Sequence, residues 1–200
     1  MLNDLNFKEN LLNTYFISFM IWDGIIMAKR SKESVEKDEL KVIKELQAHS
    51  KENIDNLAKK CGFSGPKLRR IIKNLEESQT IWGYNAVTDF EKLGMKEYLL
   101  LIKKTNKPLD ETAEKIISNE FEKKAKDLGV FVSSSYYLHG IYDWVICFVA
   151  SDLKQAKKFE SHLDKEFAGT ILETHLLENI FPVKRSGIQN PSLKKLREYL

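Results

Sequence analysis

The chain has 200 residues, of which 42% are hydrophobic and 30% are charged, a composition typical of a folded globular protein and not of a disordered one. The formal net charge of +3 is too small to indicate nucleic-acid binding, so any basic surface must come from local clustering. Cys61 and Cys147 lie far apart, without CxxC spacing or a neighbouring histidine pair. This spacing argues against a disulfide framework and a structural zinc site, and it favours buried thiols in a reducing cytoplasm.

The N-terminal region contains one long uncharged stretch, from Leu11 to Trp22. It is shorter than the roughly 20 apolar residues of a membrane span. It also lacks the cationic flank and cleavage site of a secretory signal, so we expect no membrane partner. Three alternatives stay open: an additional helix on the first domain, an interfacial anchor, or a segment outside the natural product, because Met27 provides another start. We assign residues 1–37 to an N-terminal extension and linker.

The next region has the apolar spacing of short helices. The first helix is predicted to begin at Asp38, with Leu40, Ile43 and Leu46 on its inner face and Val42 alongside. A second helix is predicted from residue 54 to residue 61. A third helix follows, with Ser64 as its N-cap and Pro66 in its first turn, and it runs to about Ser78.

The second and third predicted helices have the spacing of a helix-turn-helix. That motif needs a small residue where the helices cross, a glycine in the turn and apolar residues on the inner face of the second helix. This chain fills those positions with Ala58, Gly62, Leu68 and Ile71. Residues 81–87 then predict a strand, a break at Gly83 and a second strand, which together would form a wing. We therefore assign residues 38–88 to a winged helix-turn-helix domain and residues 89–96 to a connector.

The outward face of the third helix carries side chains suited to DNA. The candidate DNA-binding residues are Ser64, Lys67, Arg69, Arg70, Lys73 and Asn74. Lysine and arginine neutralise phosphates, and arginine or asparagine can also make paired hydrogen bonds to base edges. Lys67 and Arg69 are predicted to contact bases, and Arg70 and Lys73 to hold phosphates. Ser64 would offer its hydroxyl and the helix N-terminal amides to a phosphate. The alternative is a merely solvated helix face.

The second half of the chain predicts the order β-α-β-β-α-β of a ferredoxin-like domain, so the fold class is α+β. The predicted strands cover residues 97–103, 130–138, 144–150 and 170–181. The predicted helices run from Leu109 to Leu128 and from Asp152 to about Phe167. Helices on one face leave the other face of the sheet free, and a second copy is the usual cover. We assign residues 97–185 to this domain and residues 186–200 to a basic, solvated tail with a short helix near its end.

Four segments together resemble the leucine-responsive regulatory protein/AsnC family in order and spacing. They are residues 54–64, 75–77, 81–86 and the turn 138–144, which contains the Gly-x-x-Asp pattern. The resemblance covers roughly residues 38–185. It implies a DNA-binding transcription regulator that forms a homodimer, in some members an octamer, and that responds to an amino acid bound near that turn.

The resemblance carries the effector loop onto Gly140, Tyr142 and Asp143. Glycine lets a backbone approach a ligand closely, and a carboxylate can hold an α-ammonium group. The alternative is that Gly140 and Asp143 only shape a hairpin turn. The chain departs from the family pattern at Ile71, where an arginine is usual, and at Gln79, where a glycine is usual. The helix from Leu109 to Leu128 is also longer than the family norm.

Two other functions stay open. Some AsnC-like proteins decarboxylate a siroheme-type tetrapyrrole, and His139 and His175 are the residues that would serve such a site here. An architectural DNA-binding protein without an effector is the second alternative. The sequence has no glycine-rich phosphate loop, HExxH or G-x-S-x-G pattern. We therefore expect no catalytic residue, metal site or cofactor.

Overall fold

A computed structural model of the chain describes residues 32–107, 110–118 and 120–200. The chain divides into two compact units, Met1–Ala86 and Val87–Leu200. The uncharged N-terminal stretch and Met27 lie outside the described residues. Among the residues that are described, no helix has the length and apolar composition needed to cross a bilayer.

The described part of the first unit is helical. Helix α1 covers residues 32–49, α2 covers Ile54–Cys61 and α3 covers Gly65–Glu77. Helix α1 therefore begins earlier than predicted. The charged residues before Asp38 are compatible with a helix, and Lys37 forms an i,i+4 ion pair of 2.9 Å with Glu33.

The inner face of α1 differs from the prediction. Leu40 is 57% exposed, whereas Val42 is fully buried and Leu46 nearly so. The spacing of four between Val42 and Leu46 places both over α2 and α3 on one face of α1, and Leu40 then points to solvent. The buried core of this unit consists of Val42, Leu46, Leu57, Ala58, Cys61, Leu68, Ile71 and Leu75.

Local signals set the ends of α2 and α3 as predicted. Gly62 ends α2 in the left-handed conformation, with a φ of 66°, and its N–H bonds the last carbonyls of the helix. Ser64 caps α3, because its hydroxyl oxygen accepts the Lys67 backbone N–H at 3.4 Å. Pro66 lies in the first turn, where its missing N–H has no helical partner to lose.

The predicted wing strands do not form. Residues 82–88 have an irregular backbone without a β-ladder. Most side chains of this segment are exposed, and Trp82 is 95% exposed. The prediction was wrong because β-forming residue types make a strand only when a neighbouring strand pairs with them.

The second unit is built on a four-stranded antiparallel sheet. Its strands are β1 Lys96–Lys104, β2 Phe131–Tyr137, β3 Trp144–Ala150 and β4 Ile171–Glu178. They lie in the order β2-β3-β1-β4. Helix α6, Leu153–Glu166, starts at an Asp152 cap whose carboxylate accepts the Gln155 N–H at 2.7 Å. This is the predicted ferredoxin-like arrangement.

The long helix predicted from Leu109 to Leu128 is two helices. Helix α4 covers Asp110–Ile117 and α5 covers Glu120–Asp127. Ser118 and Asn119 stand between them in the sequence, and both residue types disfavour a helix interior. Helix α5 buries Phe121 and Ala125 in the core of the domain.

Most residues of the tail, 186–200, are exposed, and its first residues pair with the end of the domain. Strands β5 Lys184–Arg185 and β6 Ile188–Gln189 form a short ribbon, and a 3-10 turn covers Leu193–Glu198. The Arg185 guanidinium lies 2.8 Å from the Glu97 carboxylate and also covers the Phe90 ring. The sequence prediction missed these contacts because they join residues far apart in the chain.

Candidate nucleic-acid interface and effector turn

Helix α3 has a buried side and a polar side. Leu68, Ile71 and Leu75 are at most 7% exposed and pack into the core of the first unit. This packing fixes the rotation of α3, so the polar residues between these positions face outward, whereas Ile72 packs against the edge of the same core. The exposed residues include Arg69, Arg70, Lys73 and Asn74.

The exposed side chains differ in their local partners. Lys73 lies 3.6 Å from the Glu77 carboxylate, an exposed i,i+4 pair that a phosphate could replace at small cost. No hydrogen bond or ion pair holds the Arg69, Arg70 or Asn74 side chains to other described residues. These three side chains are therefore available to an external partner.

Lys67 is held inside the domain. Its ammonium lies 2.6 Å from the Asp38 carboxylate of α1 and 4.0 Å from the centre of the Phe63 ring. An ion pair combined with a cation–π contact neutralises part of the charge and directs the side chain towards α1. Lys67 must leave these partners before it can contact a base, unlike Arg69.

The segment after α3 adds two aromatic residues that the sequence analysis did not include in the site. The Tyr84 hydroxyl donates to the Glu76 carboxylate at 2.9 Å and so ties this segment to the end of α3. Partial burial raises the pKa of Tyr84, and the bond to Glu76 raises it further. Trp82 has almost its whole ring in solvent. A tryptophan a few residues after a helix rich in basic residues was the sequence signal that could have identified it.

The predicted effector turn connects β2 and β3. Asp143 makes hydrogen bonds through its side chain and its backbone. Its carboxylate accepts the Lys104 N–H at 2.9 Å, and its own N–H donates to the Ile102 carbonyl oxygen at 2.9 Å. Its carbonyl accepts the Leu138 N–H. These bonds fasten the turn to the end of β1. Gly140 has no left-handed φ, and a Cβ built there would meet nothing within 4 Å.

Tyr142 and the two candidate histidines lie around this end of the sheet. The Tyr142 ring packs edge-on against His175, with the ring centroids 5.6 Å apart. His175 also lies 2.8 Å from the Glu173 carboxylate. His139 is exposed in the turn. Among the described residues, no group of histidine, cysteine and acidic side chains has the convergence that a metal site requires.

Residues 39–81 match the family model for winged helix-turn-helix DNA-binding domains. A search of curated proteins finds no match to the sequence. Solved structures match about three quarters of this chain, and the chain covers more than nine-tenths of each of those cited below.

One is an AsnC family transcriptional regulator from Agrobacterium tumefaciens, 20% identical, with a TM-score of 0.57 over 74% of this chain and 92% of that one. The chain has the fold of the AsnC-type transcription regulators. A second is a Neisseria meningitidis transcriptional regulator in complex with L-methionine, 16% identical, with a TM-score of 0.57 and coverage of 74% and 92%. A third is the feast or famine regulatory protein from M. tuberculosis, complexed with L-methionine, 17% identical, with a TM-score of 0.59 and coverage of 76% and 95%.

The backbone and the burial of this chain account for the two departures, at Gln79 and at Ile71. Gln79 has a φ of 57°, a left-handed conformation that glycine adopts at little cost. This position therefore has a backbone conformation that favours glycine, although glutamine occupies it. Ile71 is 7% exposed and belongs to the core, so this position supplies packing and no contact to DNA.

Proposed function

We propose that this chain is a sequence-specific DNA-binding transcription regulator of the AsnC type. The observation that carries the proposal is the exposed polar face of α3, with Arg69, Arg70, Lys73 and Asn74 on a helix whose opposite side is packed into a helix-turn-helix core. A helix presented in this way fits the major groove, with its first residues at base edges and its basic residues at phosphates.

The roles of the individual residues follow from their positions on α3. Arg69 lies near the start of the helix and is the candidate for base contact. Arg70 and Lys73 hold phosphates, which fix the register without reading sequence. Ser64 keeps its hydroxyl proton for a phosphate oxygen while its own oxygen caps the helix. Asn74 lies further along the same exposed face, and Lys67 joins the interface only on release from Asp38.

The homodimer forms through the sheet face opposite the helices. We call this the open face: Leu99, Leu101, Val145, Cys147, His175 and Leu177. The strand register brings Leu101 opposite both Val145 and His175, and Leu99 opposite both Cys147 and Leu177. An apolar face of this kind, with Leu177 48% exposed, is stabilised by burial against a second copy. Further assembly to an octamer remains part of the proposal.

An amino acid acts as the effector near the turn that carries Gly140, Tyr142 and Asp143. Two of the similar structures are complexes with L-methionine, which supports testing amino acids first. The Asp143 carboxylate already accepts the Lys104 N–H through Oδ2, so an α-ammonium group would bind its other oxygen.

The tetrapyrrole decarboxylase function has less support. A tetrapyrrole with many carboxylates needs cationic side chains around a large cleft, whereas His175 already lies against Glu173 and Tyr142. An enzyme also has no use for a basic helix α3. An architectural protein would also bind DNA, so the response of that binding to amino acids distinguishes it from a regulator.

The deciding experiment is a DNA titration with the chain's own upstream region at two salt concentrations, with and without a panel of amino acids. We expect saturable binding that weakens at the higher salt and that one amino acid shifts. Binding that no amino acid shifts would leave the architectural role. Absence of binding at the lower salt would refute the proposal, and an optical change on adding a tetrapyrrole would then favour the enzyme.

A further inference from the structure

An apolar cavity of about 300 Å³ lies in the second unit, between α4 and the helix-covered side of the sheet. Ile102, Trp144, Phe167 and Ile171 line the side towards the core, and Ile116 and Ile117 line the side towards α4. Trp144 is held in place by Phe121 and Phe167, whose rings pack edge-on against it at 5.7 and 5.5 Å. The wall nearest the core is therefore rigid and aromatic.

The volume of this cavity lies at the lower end of the range of small-molecule sites, which begins at about 300 Å³. An apolar cavity of roughly 150 Å³ is enough to bind benzene, and this one has on the order of twice that volume. Helix α5 fills its part of the core with Phe121 and Ala125, whereas α4 leaves the space beside Ile116 open.

The cavity has an entrance and a polar group beside it. Ile117 and Tyr137 line it and are 72% and 64% exposed, so a ligand can enter between α4 and β2 without unfolding of the sheet. Asp143 lines the same cavity. Its Oδ2 accepts the Lys104 backbone N–H, which leaves Oδ1 to receive a hydrogen bond from a ligand.

We infer that this cavity is a ligand site for a small molecule with an aromatic or branched aliphatic body and one hydrogen-bond donor. The body packs against Trp144 and Phe167, and the donor, a hydroxyl or an ammonium group, reaches Asp143. The Lys104 side chain also lines the cavity, so comparing an ammonium head with an acidic head tests whether Asp143 or Lys104 sets the preference. The site uses the same Asp143 oxygen as the proposed amino-acid effector, so the inference rests on that part of the proposed function and refines the chemistry of its ligand. It does not require that the chain bind DNA.

The test uses the full chain and three probes that share a ring: benzylamine, benzyl alcohol and phenylacetate. Binding is measured by calorimetry and by ligand-induced shifts in the melting temperature. Ile116→Phe fills the cavity, and Ile180→Phe makes the same change at an exposed position outside it. Asp143→Asn keeps an oxygen that can accept the Lys104 N–H but removes the charge.

We expect saturable binding of benzylamine and benzyl alcohol, weaker binding of phenylacetate, at least tenfold loss in Ile116→Phe and no change in Ile180→Phe. Asp143→Asn should weaken the binding of benzylamine more than that of benzyl alcohol.

The inference would be overturned if no probe bound saturably, or if Ile116→Phe bound the probes as well as the wild type does. Tighter binding of phenylacetate than of benzylamine would overturn the role given to Asp143. DNA titration of the same variants distinguishes the failure of one proposal from the failure of the other. If the chain binds the probes but not DNA, the proposed DNA-binding function is refuted and the ligand site stands. If Ile116→Phe loses the native circular dichroism spectrum, the same measurements are made on Ala113→Leu, which fills the same cavity from α4.

Discussion

Lys67 and Asp38 form an ion pair of 2.6 Å that joins the start of α3 to α1 within the first unit. One of the two residues predicted to contact bases is therefore engaged by its own domain. The pair is partly exposed, with side-chain exposures of 38% and 30%, so it can exchange Asp38 for a phosphate. This exchange makes the contribution of Lys67 to DNA binding measurable.

Asp38→Asn should strengthen DNA binding. The change releases the Lys67 ammonium and removes a carboxylate near the DNA, so the slope of log affinity against log salt should steepen by about 1. DNA titrations at several salt concentrations measure this slope. Glu36→Gln is the matched control, since it removes one negative charge from an exposed position of α1 without touching Lys67. Equal slopes for Asp38→Asn and Glu36→Gln would show that Lys67 does not reach DNA.

Arg69→Ala and Lys73→Ala should have different effects on DNA recognition. Loss of a base contact by Arg69→Ala should relax sequence preference at one position at a cost of about 1–3 kcal/mol. Loss of a phosphate contact by Lys73→Ala should weaken all sequences alike. Selection from a randomised DNA pool, followed by titration of matched and mismatched sites, separates the two. The same sequence profile for both variants would contradict this assignment of roles.

Gln79→Gly should stabilise the first unit. A non-glycine residue at a φ of 57° carries strain of roughly 1–2 kcal/mol, and the greater freedom of glycine in the unfolded chain offsets roughly half of that gain. We expect a net increase of about 0.5–1 kcal/mol in the free energy of unfolding, measured by urea denaturation. Thr80→Gly, one position further on and without a left-handed φ, should destabilise instead. A loss of stability in Gln79→Gly would mean that contacts of the glutamine side chain stabilise the unit by more than the backbone strain destabilises it.

Arg185→Ala should destabilise the second unit. The Arg185 and Glu97 side chains are only 20% and 15% exposed, and the same Glu97 oxygen also accepts the Asn179 amide at 2.6 Å. Removing the guanidinium leaves a mostly buried carboxylate without its countercharge, at a cost of about 2–3 kcal/mol. Thermal unfolding measures the loss. Arg197→Ala, at an exposed position of the tail 186–200, should stay within about 0.5 kcal/mol of the wild type. A similar value for both variants would rule out a structural role for Arg185.

Leu101→Asp should convert the proposed homodimer to a monomer. Leu101 lies in the middle of the open face, between Val145 and His175 on the neighbouring strands, and a charge there would be desolvated in a dimer. Sedimentation equilibrium measures the mass. Ile180→Asp, at a position 67% exposed and outside the open face, should leave the mass unchanged. A monomeric wild type, or a Leu101→Asp variant of unchanged mass, would refute the proposed interface.

Local chemistry explains which elements the sequence predicted well. The cap at Ser64, the left-handed Gly62 and the apolar strand Trp144–Ala150 all have the predicted places. Each depends on residues within a few positions of one another, so the pattern of residue types carries the information. The exposed basic face of α3 follows in the same way, because burial of one side of a helix determines the other.

The tertiary structure alone decided how those side chains are used. Asp38 forms an ion pair with Lys67, and Glu97 forms one with Arg185, whereas residues 82–88 pair with no strand. Each of these outcomes depends on which residues are neighbours in space. The cavity beside Trp144 arises in the same way, from the packing of α4 against the sheet. Sequence periodicity specifies which face of an element is apolar, but the partner that covers that face, and any space left between them, are set only when the elements pack.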